Sequence, residues 1–208
     1  MKSERSPLDI DEGNSHGWTP IMLASYRGWE QIARRLSRQN PQPKPNMQND
    51  QGNTALILAA SRGNYSIVLL LVGKLRANVD MTNSNGTTAV MAAAKRGRWA
   101  VVRALANRHA RVDSPNNDDE IPLHYAIRSQ NRGNVSRLLL ADPRRRSLTV
   151  LDNQGRSPLH IAAETGDLYI IGLLLTNGAN KYATDIWGRT PSQVAFGRGY
   201  TQAGIALL

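Results

Sequence analysis

Few side chains of this chain could carry out catalysis, and their spacing forms no recognisable reactive set. His16 and His109 are isolated, and a chain without cysteine lacks the usual spacing of zinc ligands. The acidic cluster Asp118, Asp119 and Glu120 has no partner set for metal binding or acid/base chemistry. Neither a glycine-rich phosphate loop nor a nucleophile elbow occurs. We therefore predict that the chain is not an enzyme on its own and has no catalytic residue, cofactor or metal.

Positive charge is the strongest chemical bias of the sequence. Lysine and arginine number 26 against 16 acidic residues, so the formal net charge is +10, and 21 of the 26 are arginines. The planar guanidinium binds carboxylate or phosphate groups through two parallel hydrogen bonds. The composition thus indicates an acidic or phosphate-bearing partner, unless the arginines only form a solvated surface.

The elements that would position these arginines recur about every 34 residues. The phrase Gly-x-Thr-Pro-Leu-His and its degraded copies repeat with steps of 35, 34, 33, 36 and 33 residues, taken at Thr19, Thr54, Thr88, Ile121, Ser157 and Thr190. A glycine follows nine residues later at Gly28, Gly63, Gly97, Gly166 and Gly199. In the fourth copy we interpret Gly133 as displaced by an extra residue. An apolar run follows each glycine in the same phase.

This pattern, with its Thr-Pro-Leu-His element, resembles the ankyrin-repeat family over roughly residues 13–208. We expect the Thr and Ser residues to be helix N-caps and the following prolines to occupy the first helical position. The glycines that lie nine residues after the caps should adopt the left-handed conformation and end these helices. The resemblance implies an all-α ankyrin-repeat solenoid, with a helix-turn-helix and a β-hairpin in each repeat. We predict one domain, 1–208, with a capping segment 1–16 and repeats at about 17–50, 51–84, 85–118, 119–153, 154–186 and 187–208.

The resemblance also implies where a partner binds, on the hairpin tips and on the concave face of the first helices. The positions used most often are the two residues before the glycine that ends the first helix. Four arginines share the second of these positions and would form a row along the groove. The candidate partner-binding residues of the groove are Tyr26, Arg27, Arg62, Lys95, Arg96, Arg128 and Arg198. Glu164 is the only acid at these positions.

Tryptophans supply the remaining candidate contacts. Trp18 and Trp187 flank hairpin glycines in the first and last repeats, where each is either a contact anchor or an end-cap of the stack. Trp29 and Trp99 are expected to cover the turns between helices.

Repeat four departs furthest from the pattern. Ile121 replaces the capping Thr and Asp119 the hairpin Gly, so this repeat should be locally weak or specialised. His124 and His160 are the motif histidines, which in this family form hydrogen bonds within and between repeats. A second basic set lies away from the groove and includes Arg34, Arg35, Arg38, Arg103, Arg108, Arg111, Arg137, Arg144, Arg145 and Arg146.

These observations favour a protein-interaction scaffold or adaptor whose basic concave groove binds an acidic or phosphorylated protein. A structural subunit of a ribonucleoprotein, contacting RNA phosphates, is the alternative that the high charge favours. A microbial effector or immunity protein that inhibits a target is also compatible, although no residue selects it. No stretch is apolar enough for a membrane span, and no signal peptide is recognisable. We expect a monomer in a cytoplasmic or other reducing intracellular compartment.

Overall fold

The chain folds into a stack of helix pairs, one pair for each copy of the sequence phrase. The structure is a computed structural model that describes residues 9–208, so residues 1–8 of the expected capping segment lie outside the described part. The helices of residues 9–208 are α1 (Pro20–Arg27), α2 (Glu30–Leu36), α3 (Ala55–Arg62), α4 (Tyr65–Gly73), α5 (Ala89–Lys95), α6 (Trp99–Ala106), α7 (Pro122–Arg128), α8 (Arg132–Ala141), α9 (Pro158–Thr165), α10 (Leu168–Thr176), α11 (Pro191–Gly197) and α12 (Thr201–Ala206). A short 3-10 helix covers Arg146–Leu148.

Helix starts follow the expected capping chemistry. The side chains of Thr19, Thr54, Thr88, Ser157 and Thr190 each accept a hydrogen bond from the backbone N–H three residues later. The Ile121 side chain has no oxygen atom, so α7 begins without a side-chain cap. Since such a cap stabilises a helix by about 1 kcal/mol, α7 starts at a disadvantage.

Two rows of helices bury the core between them. The first helices of successive repeats pack together in the order α1, α3, α5, α7, α9 and α11, and the second helices form an outer row in the same order. Alanine pairs such as Ala59–Ala60 and Ala162–Ala163 are fully buried in the inner row, where small side chains allow close approach. Because each pair covers its neighbour's apolar face, the fold is stabilised by stacking.

Hairpin turns connect the pairs without forming a sheet. Each turn is closed by two backbone hydrogen bonds, as between the Asn49 N–H and the Asn53 carbonyl, at 3.2 Å, and between the Gly52 N–H and the Asn49 carbonyl, at 2.7 Å. Successive turns are joined by another, such as that from Ser84 N–H to the Gln51 carbonyl, at 3.1 Å. Within residues 9–208 the β-structure is one isolated bridge between Thr82 and Thr88.

The interpretation of repeat four as carrying an extra residue before Gly133 is wrong. Gln130 occupies the position of the missing glycine, nine residues after Ile121, with a φ of 51°. Gly133 instead lies inside α8. The extra length of this repeat falls after α8, where the 3-10 helix Arg146–Leu148 is located. A non-glycine residue can adopt the left-handed conformation at a cost of about 1–2 kcal/mol, so the repeat keeps its geometry at some expense in stability.

Candidate functional site: the concave groove

The groove candidates lie at the ends of the first helices. Each glycine that follows takes a positive φ, such as 80° at Gly63 and 67° at Gly97, and this turns the chain sharply toward the second helix. The last helical residues are therefore left at the rim of the stack with exposed side chains, as at Arg62 and Lys95. Adjacent inner helices are about 8–10 Å apart, so residues at equivalent positions follow one another along the groove.

A cleft of about 520 Å³ occupies the first half of the groove. Residues from repeats one to four line it, and they include aromatic rings, carboxamides and two cations. The lining residues are Trp18, Tyr26, Gln51, Asn53, Ile57, Leu58, Ser61, Asn83, Asn85, Thr87, Ala92, Lys95, Arg96 and Tyr125. The structure thus brings together Trp18, Tyr26, Lys95 and Arg96 of the predicted set.

Cations lie against the aromatic rings of this cleft. The Arg62 guanidinium is 4.0 Å from the Tyr26 ring centroid and donates a hydrogen bond to the Tyr26 hydroxyl. Trp18 packs its ring edge-to-face on Tyr26, with centroids 5.4 Å apart. The Lys95 ammonium lies 5.3 Å from the ring centroid of Tyr125. The rings hold the cations in place without neutralising them.

The carboxamide wall of the cleft consists of Gln51, Asn53, Asn83 and Asn85, which were not among the predicted site residues. Asn83 also belongs to a set of residues that recurs in the hairpin turns. An Asn or Asp stands five residues before every helix cap, and its side chain accepts hydrogen bonds from the backbone N–H groups two and four residues later. The six residues are Asn14, Asn49, Asn83, Asn116, Asp152 and Asp185. The recurrence was visible in the sequence. The residue five positions before the helix cap is neutral Asn in repeats one to four, counted by their caps at positions 19, 54, 88 and 121, and Asp before the caps at 157 and 190.

The second half of the groove is occupied by a network of alternating charges. Arg128 pairs with Glu120 and, at 3.2 Å, with Asp152. Arg156 lies between Asp152 and Glu164, at 2.7 and 2.8 Å. Arg198 pairs with the other oxygen of Glu164 at 2.9 Å. We name this set, Glu120, Arg128, Asp152, Arg156, Glu164 and Arg198, the charge network. It neutralises two of the predicted groove arginines.

Hydrogen bonding keeps Asp152 of the charge network ionised. Burial of Asp152 opposes its charged form, but hydrogen bonds from the Arg156 side chain and from the backbone N–H groups of Arg156 and Gln154 outweigh it. The pKa of Asp152 is therefore lowered. At neutral pH the network holds three carboxylates against three guanidiniums, so it offers no net charge to a ligand.

The remaining predicted contacts lie outside the cleft. Arg27 is directed toward Trp29, with its guanidinium 6.0 Å from the ring centroid. Trp187 is 56% exposed at the last hairpin and lies under Arg189. Trp29 and Trp99, which we expected to cover the turns between helices, lie directly after these turns with 45% and 53% of their surface exposed.

The motif histidines are buried. His160 Nδ1 accepts from the Ser157 N–H, and its Nε2 lies 2.9 Å from the Arg189 carbonyl of the next repeat. His124 Nδ1 accepts from the Ile121 N–H, but its Nε2 has no hydrogen-bond partner within residues 9–208. The expected bond between repeats is thus formed at His160 and not at His124. Burial lowers the pKa of both histidines, that of His124 to about 4.

The part of the chain that the structure describes contains no group of three or more His, Asp or Glu side chains arranged to hold a metal ion. None of the helices in residues 9–208 is long and apolar enough to cross a bilayer.

Comparison with known families agrees with this architecture. Residues 5–83 and 73–147 match the family model described as Ankyrin repeats (3 copies), and residues 154–186 match that described as Ankyrin repeat. The chain belongs to the ankyrin-repeat family, whose arrays are protein-interaction scaffolds. The prediction of an all-α repeat solenoid is confirmed.

Similar segments occur within much longer proteins. The chain is 38% identical over 96 residues to the transient receptor potential cation channel subfamily A member 1 homolog of Caenorhabditis elegans, covering 46% of this chain and 8% of that protein. It is 36% identical over 99 residues to the human subfamily A member 1 channel, covering 47% and 9%. It is 36% identical over 72 residues to the tyrosine-protein kinase HTK16 of Hydra vulgaris, covering 35% and 10%. The chain therefore matches a tenth or less of each of these relatives.

Proposed function

We propose that this protein is a non-enzymatic scaffold or adaptor that binds an acidic or phosphorylated protein through the basic concave groove. The observation that carries the proposal is the set of cations around the cleft. Among residues 9–208, Arg62, Lys95 and Arg96 lie outside every ion pair, whereas Arg128 and Arg198 take part in the charge network. We name Arg62, Lys95 and Arg96 the free cations.

The free cations suit recognition of negative charge. Three like charges within two adjacent repeats repel one another, and an acidic partner would relieve that repulsion. Arg62 and Lys95 are also held on tyrosine rings, so less side-chain freedom is lost when they bind. Complementary charge raises the association rate and excludes basic partners.

A second candidate is a structural role in a ribonucleoprotein. It is supported by exposed arginines away from the groove that also lie outside the ion pairs of residues 9–208, among them Arg35, Arg38, Arg108, Arg111 and Arg144. Charge spread over both faces would suit RNA phosphates, which are bound without regard to sequence.

Charge reversal in the groove tests the proposal. The partner is first captured from cell lysate with and without nuclease, and its affinity is then measured for the wild type, for Arg62→Glu/Arg96→Glu and for Arg144→Glu on the outer loop. We expect the double variant to bind more than tenfold more weakly with an unchanged helical circular dichroism signal, because like charges at an interface cost several kcal/mol. Arg144→Glu should have little effect, and binding of the wild type should weaken as salt increases.

Two results would decide against the groove. If nuclease releases the partner and Arg144→Glu is as damaging as the double variant, the ribonucleoprotein function is supported instead. If neither change alters binding, the free cations form only a solvated surface.

A further inference from the structure

We propose that the cleft binds its partner as an extended, polyproline-II-like segment whose acidic residues are spaced three apart, placed over repeats one to four only. The inference rests on the proposed function, because it assigns the conformation and register of the acidic ligand at the same site. Four features of the groove support it.

The first is the unequal charge of the two halves of the groove. In the second half, Glu164 contacts both Arg156 and Arg198, so an incoming acid would have to displace a carboxylate already bound. In the first half, Arg62 and Arg96 occupy the same repeat position without a carboxylate partner among the described residues. An acidic segment therefore gains most by lying over repeats one to four.

The second feature is the carboxamide wall of the cleft. Asn53 donates to Gln51 at 3.1 Å and Asn83 donates to Asn53 at 3.0 Å, which orders the wall across two repeats. Asn85 is exposed, and its side chain makes no hydrogen bond within residues 9–208. A carboxamide both donates and accepts, so the wall can bind the free N–H and carbonyl groups of a main chain. A polyproline-II segment has no internal hydrogen bonds, so its main-chain N–H and carbonyl groups are free to bind the wall. In an α-helix most of these groups are already hydrogen-bonded to one another.

The third feature is the repeat spacing. Successive inner helices are about 8–10 Å apart. A polyproline-II helix has three residues per turn and a rise of about 3.1 Å per residue, so side chains three apart point the same way at a separation of about 9 Å. Acidic side chains at positions i and i+3 would thus meet Arg62 and Arg96 in adjacent repeats. A flat β-strand would fit less well, since its side chains repeat every two residues.

The fourth feature is the state of the aromatic rings, which favours a peptide over single-stranded RNA. Single-stranded nucleic acids bind by stacking their bases on open aromatic faces. Arg62 covers the Tyr26 ring, and Tyr125 is only 9% exposed beneath Lys95. The covered tyrosine rings leave no open face for a stacked base, whereas a peptide bound through its carboxylates and main-chain groups needs none.

Two peptides of equal composition test the register. Fluorescein-labelled Glu-Pro-Pro repeated four times places an acid at every third residue. Its control, Glu-Glu-Pro-Pro-Pro-Pro repeated twice, has the same length, charge and proline content. Binding is followed by fluorescence anisotropy at low salt. We expect the first peptide to bind at least fivefold more tightly than the control, and Arg62→Glu/Arg96→Glu to abolish that preference.

Variants then locate the peptide in the groove. Gln51→Ala/Asn85→Ala should weaken binding of the first peptide about threefold to tenfold, as expected for lost hydrogen bonds to its main chain. Arg198→Glu, the same substitution at the equivalent position of repeat six, should change it less than twofold. A peptide of four phosphoserine-Pro-Pro units distinguishes a phosphate ligand from a carboxylate one by its affinity relative to the glutamate peptide.

The failures are distinguishable. Equal affinity for the two peptides, or no effect of the carboxamide substitutions, overturns the polyproline-II register while the acidic groove stands. If neither peptide binds but Arg62→Glu/Arg96→Glu still weakens capture of the protein partner, the register fails and the proposed function survives. If a labelled twelve-residue oligouridylate binds and either carboxamide or groove-charge variants weaken it, the peptide ligand is overturned in favour of RNA.

Discussion

Acidification should destabilise repeat four through a single buried histidine. His124 is fully buried in α7, and burial is the main reason why its pKa is lowered from the ordinary 6.5 to about 4, although the charge of nearby Asp152 opposes the shift. His124 therefore binds its proton near pH 6.5 in the unfolded chain but only near pH 4 in the folded protein. The stabilisation is complete above the higher value and is lost as the pH falls between the two.

The size of the effect follows from the two pKa values. The two pKa values, 6.5 and about 4, correspond to about 3 kcal/mol in the free energy of unfolding, and most of this is lost by pH 4.5. Domains have total stabilities of only about 5–15 kcal/mol, so the loss should be easily measured. Urea unfolding followed by circular dichroism, at pH 7.5 and at steps down to 4.5, gives the free energy of unfolding at each pH.

The chain supplies its own control. Repeats one and three carry Met22 and Met91, both buried, at the position equivalent to His124. His124→Met should remove most of the decline between pH 6.5 and 4.5, while the contributions of the carboxylates and of His160 stay common to both proteins. If wild type and His124→Met lose stability equally over this range, the buried neutral histidine is not the cause and the reasoning is refuted.

Two further predictions concern the local stability of the repeats. Gln130→Gly should raise the free energy of unfolding by about 1 kcal/mol, because Gln130 has a φ of 51° where the other repeats place a left-handed glycine. We expect repeat four of the wild type to exchange its amide hydrogens faster than repeats two, three and five, and Gln130→Gly should slow this exchange. Unchanged exchange in the variant would contradict the prediction. Thr88→Ala should lower the free energy of unfolding by about 1 kcal/mol, because the Thr88 hydroxyl accepts from the Met91 N–H at 3.3 Å; urea unfolding that leaves the midpoint unmoved would show that this cap contributes nothing.

The family, the number of helix pairs and the positions of their caps and turns could all be predicted from the amino-acid sequence. These features depend on local rules: a hydroxyl three residues before a free N–H, a glycine where φ must be positive, and an apolar run of helical period. Because these features recur in phase, the repeat array could be predicted from one short sequence pattern that is repeated along the chain. The same local rules failed at Gln130, because a non-glycine residue can take the left-handed conformation when the surrounding repeat holds it there.

Which groove arginines are available for a partner depends on how the repeats pack against one another. Arg62 and Arg198 occupy equivalent positions and are indistinguishable in the repeat register. One lies on a tyrosine ring and the other on Glu164, a residue 34 positions away along the chain. The difference arises because a charge is neutralised by whatever side chain the neighbouring repeat packs against it, and stacking, not sequence separation, sets that neighbour.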